Sequence, residues 1–288
     1  MMRRTVTFLA LASTVLLTCA CEGGGGDGEV NRNGLTQCET NKVSTGGYLW
    51  TYVDMGKGKY ATIEPLTDLT TEFAPTDGGY EGKSCHVSGR VPPPPPAADG
   101  AVDGCGDPLY PAAGMGFGFR PKNVPYDITG KAGVKFVAKT DTPNANGDLN
   151  VKVAVAQSTT DVPQAEFDDQ FDKTCLCGSE ADAQGVPKTC FANYNVQVAI
   201  KADWRQCYVL FDTMSYPSSW GGDAGWDPKK AIKLQWDMPQ PATGAPDIDF
   251  DLWVDNVEWI TAEDVAAGNV PTTQSECLPI AAEETPAQ

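Results

Sequence analysis

The chain has 288 residues, and its 38 Asp and Glu against 21 Lys and Arg give a formal net charge of −17. Such acidity argues against a nucleic acid partner, because phosphate contacts require clustered basic side chains. It equally argues against electrostatic binding of the protein to anionic lipids. Once residues 1–20 are removed, the length still fits one β-sandwich, since single sandwich domains run to about 250 residues.

The first twenty residues predict a bacterial lipoprotein signal peptide. Arg3 and Arg4 precede an apolar run at residues 5–17. This run is too short to cross a bilayer, which takes about 20 helical residues, and it fits the apolar region of an export signal. An ordinary secretory signal with incidental cysteines is the alternative, and no transmembrane span is expected.

Cys21 is the predicted lipidation site. Ala20 followed by Cys21 resembles the lipobox of bacterial lipoproteins, in which the cysteine after the cut is acylated. Cys21 is preferred to Cys19 because Ala20 is a better small residue before the cut. Glu22 after the cysteine resembles the pattern for sorting to the outer membrane of a Gram-negative bacterium. The expected location is therefore the cell envelope, with the lipid bilayer reached through acyl chains and residues 21–37 forming a Gly-rich tether.

Eight further cysteines predict disulfide bonds, because an even number in an exported chain is typical of a disulfide framework. Zinc is disfavoured, since His86 is the only histidine. Eight cysteines allow 105 connectivities. The least arbitrary pairs are Cys38 with Cys277 and Cys190 with Cys175 or Cys177. The eight are Cys38, Cys85, Cys105, Cys175, Cys177, Cys190, Cys207 and Cys277.

Short strands, without any long amphipathic helix, are predicted from residue 48 onward. Apolar and polar residues alternate within 133–139, 148–156, 194–200, 206–211, 232–238 and 250–260. Many such strands in succession predict an all-β fold with one sandwich domain, residues 38–277. A Pro-rich loop at 90–111 and an acidic, Cys-containing loop at 161–188 interrupt it, and residues 278–288 are expected to be a disordered tail.

The segment 250–260 changes its alternation partway along. Apolar residues up to Val254 share one parity, and those from Val257 onward share the other. The switch at Asp255 and Asn256 predicts either a β-bulge or a buried pair of polar residues.

Several short motifs, taken together and in their order along the chain, resemble those of a galactose-binding-like jelly roll. The match covers roughly residues 48–260 and is most similar to family 11 carbohydrate-binding modules and related myxobacterial-type surface lipoproteins. The resemblance implies a single β-sandwich of jelly-roll type. The motifs are Phe117-Gly-Phe119, Tyr126-Asp127-Ile128 before Gly133-Val-Lys-Phe136, Trp204 to Tyr208 with Phe211-Asp212, and Phe250 to Val257.

The resemblance also implies that a polysaccharide or cell-surface glycan binds on the concave face of the jelly roll. Flat aromatic side chains would stack on sugar rings there, and carboxylates and amides would bind hydroxyls. Three candidates oppose the apolar parity of their strands, and two tryptophans lie in a Gly-rich loop at 220–226, where they could instead cover the sandwich end. Tyr126, from the Tyr126-Asp127-Ile128 motif, is a further candidate. The candidates are Trp253, Gln235, Asp237, Tyr126, Trp220 and Trp226.

The other aromatic residues are harder to place. Trp236, Trp204 and Trp259 are expected in the core, because they share apolar parity or occupy a family core position. The stripe formed by Tyr48, Trp50 and Tyr52 could face either way.

Structural Ca²⁺ is the expected cofactor, because related sandwiches often carry it near the first and last strands. Calcium prefers carboxylate and carbonyl oxygens. Asp54 and Asp255 are the predicted ligands, and Glu64 is a third candidate. The alternative is that these are solvated acids.

Catalysis is poorly supported by the sequence. Only His86 could serve in a nucleophile relay, and no HExxH, P-loop or GxSxG motif occurs. The expected function is a surface-anchored, non-catalytic carbohydrate-binding lipoprotein. A structural or protein-interaction envelope lipoprotein without a sugar ligand is the alternative, and a glycoside hydrolase is a third.

Overall fold

Two antiparallel β-sheets pack against each other in the computed structural model. It describes residues 34–37, 42–53, 61–67, 73–94, 111–121, 124–160, 193–216, 225–271 and 274–280. In this part of the chain the strands are β1 (Gly34–Gln37), β2 (Lys42–Val43), β3 (Leu49–Val53), β4 (Thr62–Glu64), β5 (Thr76–Gly79), β6 (Gly82–Val91), β7 (Ala113–Gly118), β8 (Lys131–Thr140), β9 (Asp148–Gln157), β10 (Tyr194–Lys201), β11 (Arg205–Leu210), β12 (Ala231–Asp237), β13 (Ile248–Thr261) and β14 (Glu276–Pro279).

The strands form a nine-stranded and a five-stranded sheet. The larger sheet runs in the order β14-β11-β8-β13-β1-β2, with β6 also paired to β13 and with β4 and β5 paired to β6. The smaller sheet runs in the order β10-β9-β12-β7-β3. The predicted all-β sandwich is therefore confirmed, as are the six predicted strand segments.

The core lies between the two sheets. The apolar residues that alternation places inward on β9 and β12 are buried, among them Val151, Val153, Leu234 and Trp236. The fully buried Trp236 of the smaller sheet packs edge-on against Phe136 of the larger sheet, with ring centroids 5.3 Å apart. Trp259 is also buried, so the core placement of these two tryptophans is confirmed.

The parity switch in β13 is a β-bulge. The register with β8 shifts between Asp255 and Glu258, and Asn256 has a φ of 46°. The bulge turns Val257 into the core on the same side as Val254. Asp255 is buried beside it, and its carboxylate accepts hydrogen bonds from the backbone N–H of Tyr80 and of Asn256.

One predicted disulfide pair is wrong. Cys277 is bonded to Cys207, not to Cys38, because β14 lies beside β11 and places the two cysteines directly opposite each other. Cys85 is also disulfide-bonded. The other predicted disulfide cysteines lie outside the described residues: Cys38, Cys105, Cys175, Cys177 and Cys190.

Three predicted boundaries are also wrong. The tether cannot extend to residue 37, since Gly34–Gln37 pair with both β13 and β2. The tail begins later than residue 278, because β14 continues to Pro279. Strand β6 likewise extends the sheet to Val91, inside the predicted loop 90–111. Residues 161–188 lie outside the described part of the chain.

A short helix that the sequence did not predict, α1 (Ala262–Ala266), follows β13. Thr261 and Asp264 form a reciprocal capping box at its start. Two hydrogen bonds hold the pKa of the Asp264 carboxyl below its usual value: the stronger effect comes from the backbone N–H of Thr261 and the weaker from its hydroxyl. No helix within the described ranges is long and apolar enough to cross a membrane.

The bulge predicts how substitutions at Asn256 affect stability. A left-handed backbone costs a residue with a Cβ about 1 kcal/mol or more, whereas glycine adopts it freely. We expect Asn256→Gly to unfold at a higher urea concentration than Asn256→Ala, with free energies of unfolding that differ by about 1 kcal/mol. Both variants lose the Asn256 side-chain contact with Glu81, so that loss cancels. An alanine variant as stable as the glycine variant would contradict the bulge.

Candidate functional site

Strand β7 lacks side chains on the outer face of the five-stranded sheet. Gly114, Gly116 and Gly118 lie on this face, because the residues between them point into the core. We call these three residues the glycine lane. A Cβ at Gly114 would lie 2.5 Å from the Tyr52 ring, and one at Gly118 would lie 3.1 Å from the Tyr48 ring. The missing side chains therefore leave room for tyrosine rings to lie close against the sheet.

Strand β3 places two aromatic rings beside the glycine lane. Trp50 pairs with Gly116, and Tyr52 pairs with Gly114. Their ring centroids are 5.5 Å apart, and both side chains are half-buried. The intervening Thr51 is buried and is hydrogen-bonded to Thr67 and to the carbonyl of Pro65. The aromatic stripe thus faces outward at Trp50 and Tyr52.

A buried carboxylate fixes the ring of Tyr52. The Tyr52 hydroxyl and the Gln235 amide each donate to Asp237 Oδ1, at 2.7 Å in both cases. Lys152 Nζ lies 2.8 Å from the other oxygen, Oδ2. A carboxylate taken out of water is tolerated only when it is paired in this way. The three donors therefore set the orientation of the side chains around Asp237.

A basic side chain completes this part of the face. Lys233 precedes Gln235 by two residues on β12 and lies on the same side of the sheet. Its ammonium group is 5.1 Å from the centre of the Trp50 ring, within the range of a cation–π contact. We call Trp50, Tyr52, Lys152, Lys233, Gln235, Asp237 and the glycine lane the candidate face.

The structure brings Gln235 and Asp237 together, but Trp253 is not with them. Trp253 lies on β13, on the outer face of the nine-stranded sheet. The prediction that these three residues share one face is therefore wrong. Parity shows which residues of one strand share a side, but it does not show to which sheet the strand belongs.

The ring of Trp253 is also enclosed by its neighbours. His86 on β6 stacks on it with ring centroids 3.8 Å apart, and Lys139 Nζ on β8 lies 4.9 Å from its centre. Because β6 and β8 pair with β13 on opposite sides, the indole is flanked from both directions. Its Nε1 donates to Asp141 Oδ2 at 3.0 Å. A sugar ring would not find a free face here.

Trp204 lies near this group and not in the core. It is half-buried, with Lys139 Nζ 5.6 Å from its ring centre and the Tyr80 ring 5.9 Å away. The expected core position of Trp204 is therefore wrong.

Two other predicted ligand residues pack against the core instead. Tyr126 stacks on Trp259 with centroids 6.5 Å apart, and Trp226 contacts Tyr194 and Phe211 at 5.2 and 5.5 Å. Tyr126 therefore does not lie on the candidate face, and Trp226 follows the alternative in which it covers the core. Trp220 lies outside the described residues.

The described residues provide little support for the predicted calcium site. Asp255, a predicted ligand, uses its carboxylate to accept backbone N–H groups at the bulge, so it does not fit a metal site. Glu64 is exposed on β4, and Asp54 lies outside the described residues. No group of three or more His, Cys, Asp or Glu side chains that could hold a metal occurs in the part of the chain described. Calcium binding stays a prediction.

Four residues of the candidate face were not among the sequence candidates: Trp50, Tyr52, Lys152 and Lys233. The sequence did contain a signal for them. Glycine recurs at every second position from 114 to 118, which is unusual for a strand and marks a place where something approaches the backbone closely.

No protein-family model and no curated protein matches this chain. Similar solved structures include a family 11 carbohydrate-binding module from Clostridium thermocellum in complex with a β-1,3-1,4-mixed-linked tetrasaccharide, at 11% identity and a TM-score of 0.44, covering 80% of this chain and 95% of that one. The solution structure of CtCBM11 has 12% identity and a TM-score of 0.39, covering 74% and 88%. A family 30 carbohydrate-binding module has 11% identity and a TM-score of 0.37, covering 74% and 81%. Because the sequence identities are only 11–12%, the ligand of this chain must be inferred from its own side chains.

The Asp237 network predicts the effect of removing one hydroxyl. We expect Tyr52→Phe to lower the free energy of unfolding by about 1–3 kcal/mol, because a hydrogen bond to a buried carboxylate is lost. Urea unfolding followed by circular dichroism measures the change. Tyr208→Phe on β11 is the matched control, since no hydrogen bond of its hydroxyl is recorded in the described part of the chain. Equal stability of the two variants would contradict the role of the Tyr52 hydroxyl.

Proposed function

We propose that this protein is a non-catalytic lipoprotein of the cell envelope that binds a polysaccharide on the candidate face. The observation that carries the proposal is the pair of rings at Trp50 and Tyr52 beside the glycine lane. Polar and charged side chains lie directly across the lane from them, on β12 and β9.

This arrangement suits the two-sided chemistry of a sugar. One face of a pyranose ring carries C–H groups that pack on a flat aromatic ring, and its edge carries hydroxyls that need hydrogen-bond partners. Trp50 and Tyr52 supply aromatic surface, and the partly exposed Lys152 supplies a donor. The Gln235 amide is buried and orients Asp237 from below. Binding sites generally combine apolar surface with a few fixed polar groups in this way.

The fixed geometry also favours binding. Tyr52 is already held by Asp237, and Asp237 is already held by Gln235 and Lys152. Side chains that are ordered before the ligand arrives lose less conformational entropy when it binds.

The absence of catalysis is part of the proposal. His86 is the one histidine of the chain, and its Nε2 lies 3.0 Å from Asp251 Oδ1 while its ring stacks on Trp253. The adjacent Cys85 is consumed by a disulfide, so it cannot act as a nucleophile beside this histidine. His86 also lies on the opposite sheet from the candidate face.

Substitution of Trp50 tests the proposed face. We expect Trp50→Ala to weaken binding to a soluble polysaccharide by about tenfold or more, because aromatic anchors contribute about 2 kcal/mol and 1.4 kcal/mol corresponds to tenfold. Affinity electrophoresis in gels that contain mixed-linkage β-1,3-1,4-glucan, polygalacturonate or dextran sulfate measures the retardation.

Trp253→Ala is the matched control for this test. It removes the same indole from the outer face of the other sheet, so it should leave retardation unchanged. Loss of retardation in Trp253→Ala but not in Trp50→Ala would show that the ligand binds the nine-stranded sheet, and would contradict the proposal. Thermal unfolding of both variants checks that they remain folded.

The lipid anchor has its own test. We expect Cys21→Ser to abolish incorporation of radiolabelled palmitate and to release the protein from the membrane fraction, since acyl chains supply the attachment. Cys19→Ser should keep both properties. If the Cys19 variant loses the label and the Cys21 variant keeps it, the predicted lipidation site is wrong.

A further inference from the structure

The outer face of the five-stranded sheet buries its acids and exposes its bases. In the pair between Lys152 and Asp237, the lysine side chain is 44% exposed and the aspartate 8%. In the pair between Lys201 and Asp148, the values are 39% and 14%. In both pairs the carboxylate lies closer to the sheet, and the ammonium group faces the solvent.

The outer face of the nine-stranded sheet shows a different pattern. In the pair between Lys139 and Asp141, the lysine is 19% exposed and the aspartate 49%. Asp249 is likewise slightly more exposed than its partner Arg90. Two other pairs on this face have the base further out: Arg90 with its second partner Asp247, at 55% against 37%, and Lys135 with Glu258, at 35% against 19%. In the described ion pairs, the base therefore lies further out in both pairs of the five-stranded sheet, whereas the nine-stranded sheet shows both arrangements.

This local charge runs against the net charge of the chain, which is −17. A chain with this charge repels anionic polymers unless one surface attracts them. The bases of this face surround the place where a sugar would stack: the half-buried Lys233 lies against Trp50, and Lys152 lies opposite Asp237.

We propose that the polysaccharide bound on the candidate face is anionic and carries carboxylate or sulfate groups that pair with Lys152 and Lys233. This inference rests on the proposed function, because it specifies the class of polymer for the same face. The sugar ring packs on Trp50 and Tyr52, and its anionic substituent reaches the ammonium groups across the glycine lane. Lys201 extends the same positive surface toward the edge strand β10.

The test compares the full chain on three gels at low and high salt. Mixed-linkage glucan is neutral, polygalacturonate carries carboxylates, and dextran sulfate carries sulfates. We expect stronger retardation on at least one anionic polymer than on the neutral glucan, and we expect sodium chloride to weaken it, because salt screens exposed charges. The gel with the stronger retardation identifies carboxylate or sulfate as the recognised group.

Lysine variants then test the residues. We expect Lys152→Met and Lys233→Met each to weaken binding to the anionic polymer by about two- to fivefold, the range for an exposed ion pair. Lys229→Met, an exposed lysine in the turn before β12, should leave it unchanged. Because Lys152→Met also uncovers Asp237, Lys152→Arg serves as a second variant that keeps the charge and should keep binding.

The failures of the two proposals are distinguishable. Salt-independent retardation that is strongest on the neutral glucan and sensitive to Trp50→Ala overturns the anionic ligand but keeps the polysaccharide-binding face. Retardation on an anionic gel that neither lysine-to-methionine variant weakens also overturns the anionic-ligand inference. Absence of retardation on all three polymers contradicts both.

Discussion

The carboxylate of Asp237 holds together the part of the five-stranded sheet on which the proposed function depends. It receives hydrogen bonds or an ion pair from three strands, through Tyr52 on β3, Gln235 on β12 and Lys152 on β9. Tyr52 reaches it across β7 only because Gly114 has no side chain, since a Cβ there would lie 2.5 Å from the tyrosine ring. The absence of a side chain at Gly114 allows the Tyr52 ring to cross β7, and Asp237 holds that ring by its hydroxyl. The two features therefore depend on each other.

The two outer faces of the sandwich use aromatic and basic side chains in different ways. On the nine-stranded sheet, Trp253 is flanked by His86 and Lys139, so that protein groups occupy the surface of the indole. On the five-stranded sheet, Trp50 and Tyr52 lie beside a strand that has no side chains on its outer face. In the first arrangement a stacked histidine ring covers the indole, whereas the second leaves room for a ligand. Counting surface tryptophans would not separate the two cases.

Much of the fold could be predicted from alternation alone. The apolar parity of β9, β10 and β12 predicted their buried sides, and the parity switch at Asp255 predicted the bulge. Features that depend on which strands become neighbours could not be obtained in this way. The partner of Cys277 was wrong for this reason, as was the shared face for Trp253 and Asp237. Both errors concern contacts between residues far apart in the chain, on which local periodicity carries no information.

Two of the six side chains of the candidate face were predictable. Gln235 and Asp237 oppose the apolar parity of β12, and this was sufficient to place them on an outer face. The direction of the Trp50 and Tyr52 stripe could not be decided, because both of its parities contain residues suited to a core. The alternating glycines of β7 mark a strand with one face free of side chains. Only the pairing of β3 with β7, which local periodicity does not show, identifies the rings that lie against that face.

The most direct test of the binding face is a nuclear magnetic resonance titration of ¹⁵N-tryptophan-labelled protein with oligosaccharides of the polymer that gives the strongest gel retardation. The indole N–H signals of Trp50 and Trp253 can be assigned from their alanine variants, and each reports on the outer face of one sheet. The account predicts that the Trp50 signal shifts progressively with ligand concentration while the Trp253 signal stays in place. A shift confined to Trp253, with Trp50 unaffected at saturating ligand, would contradict it.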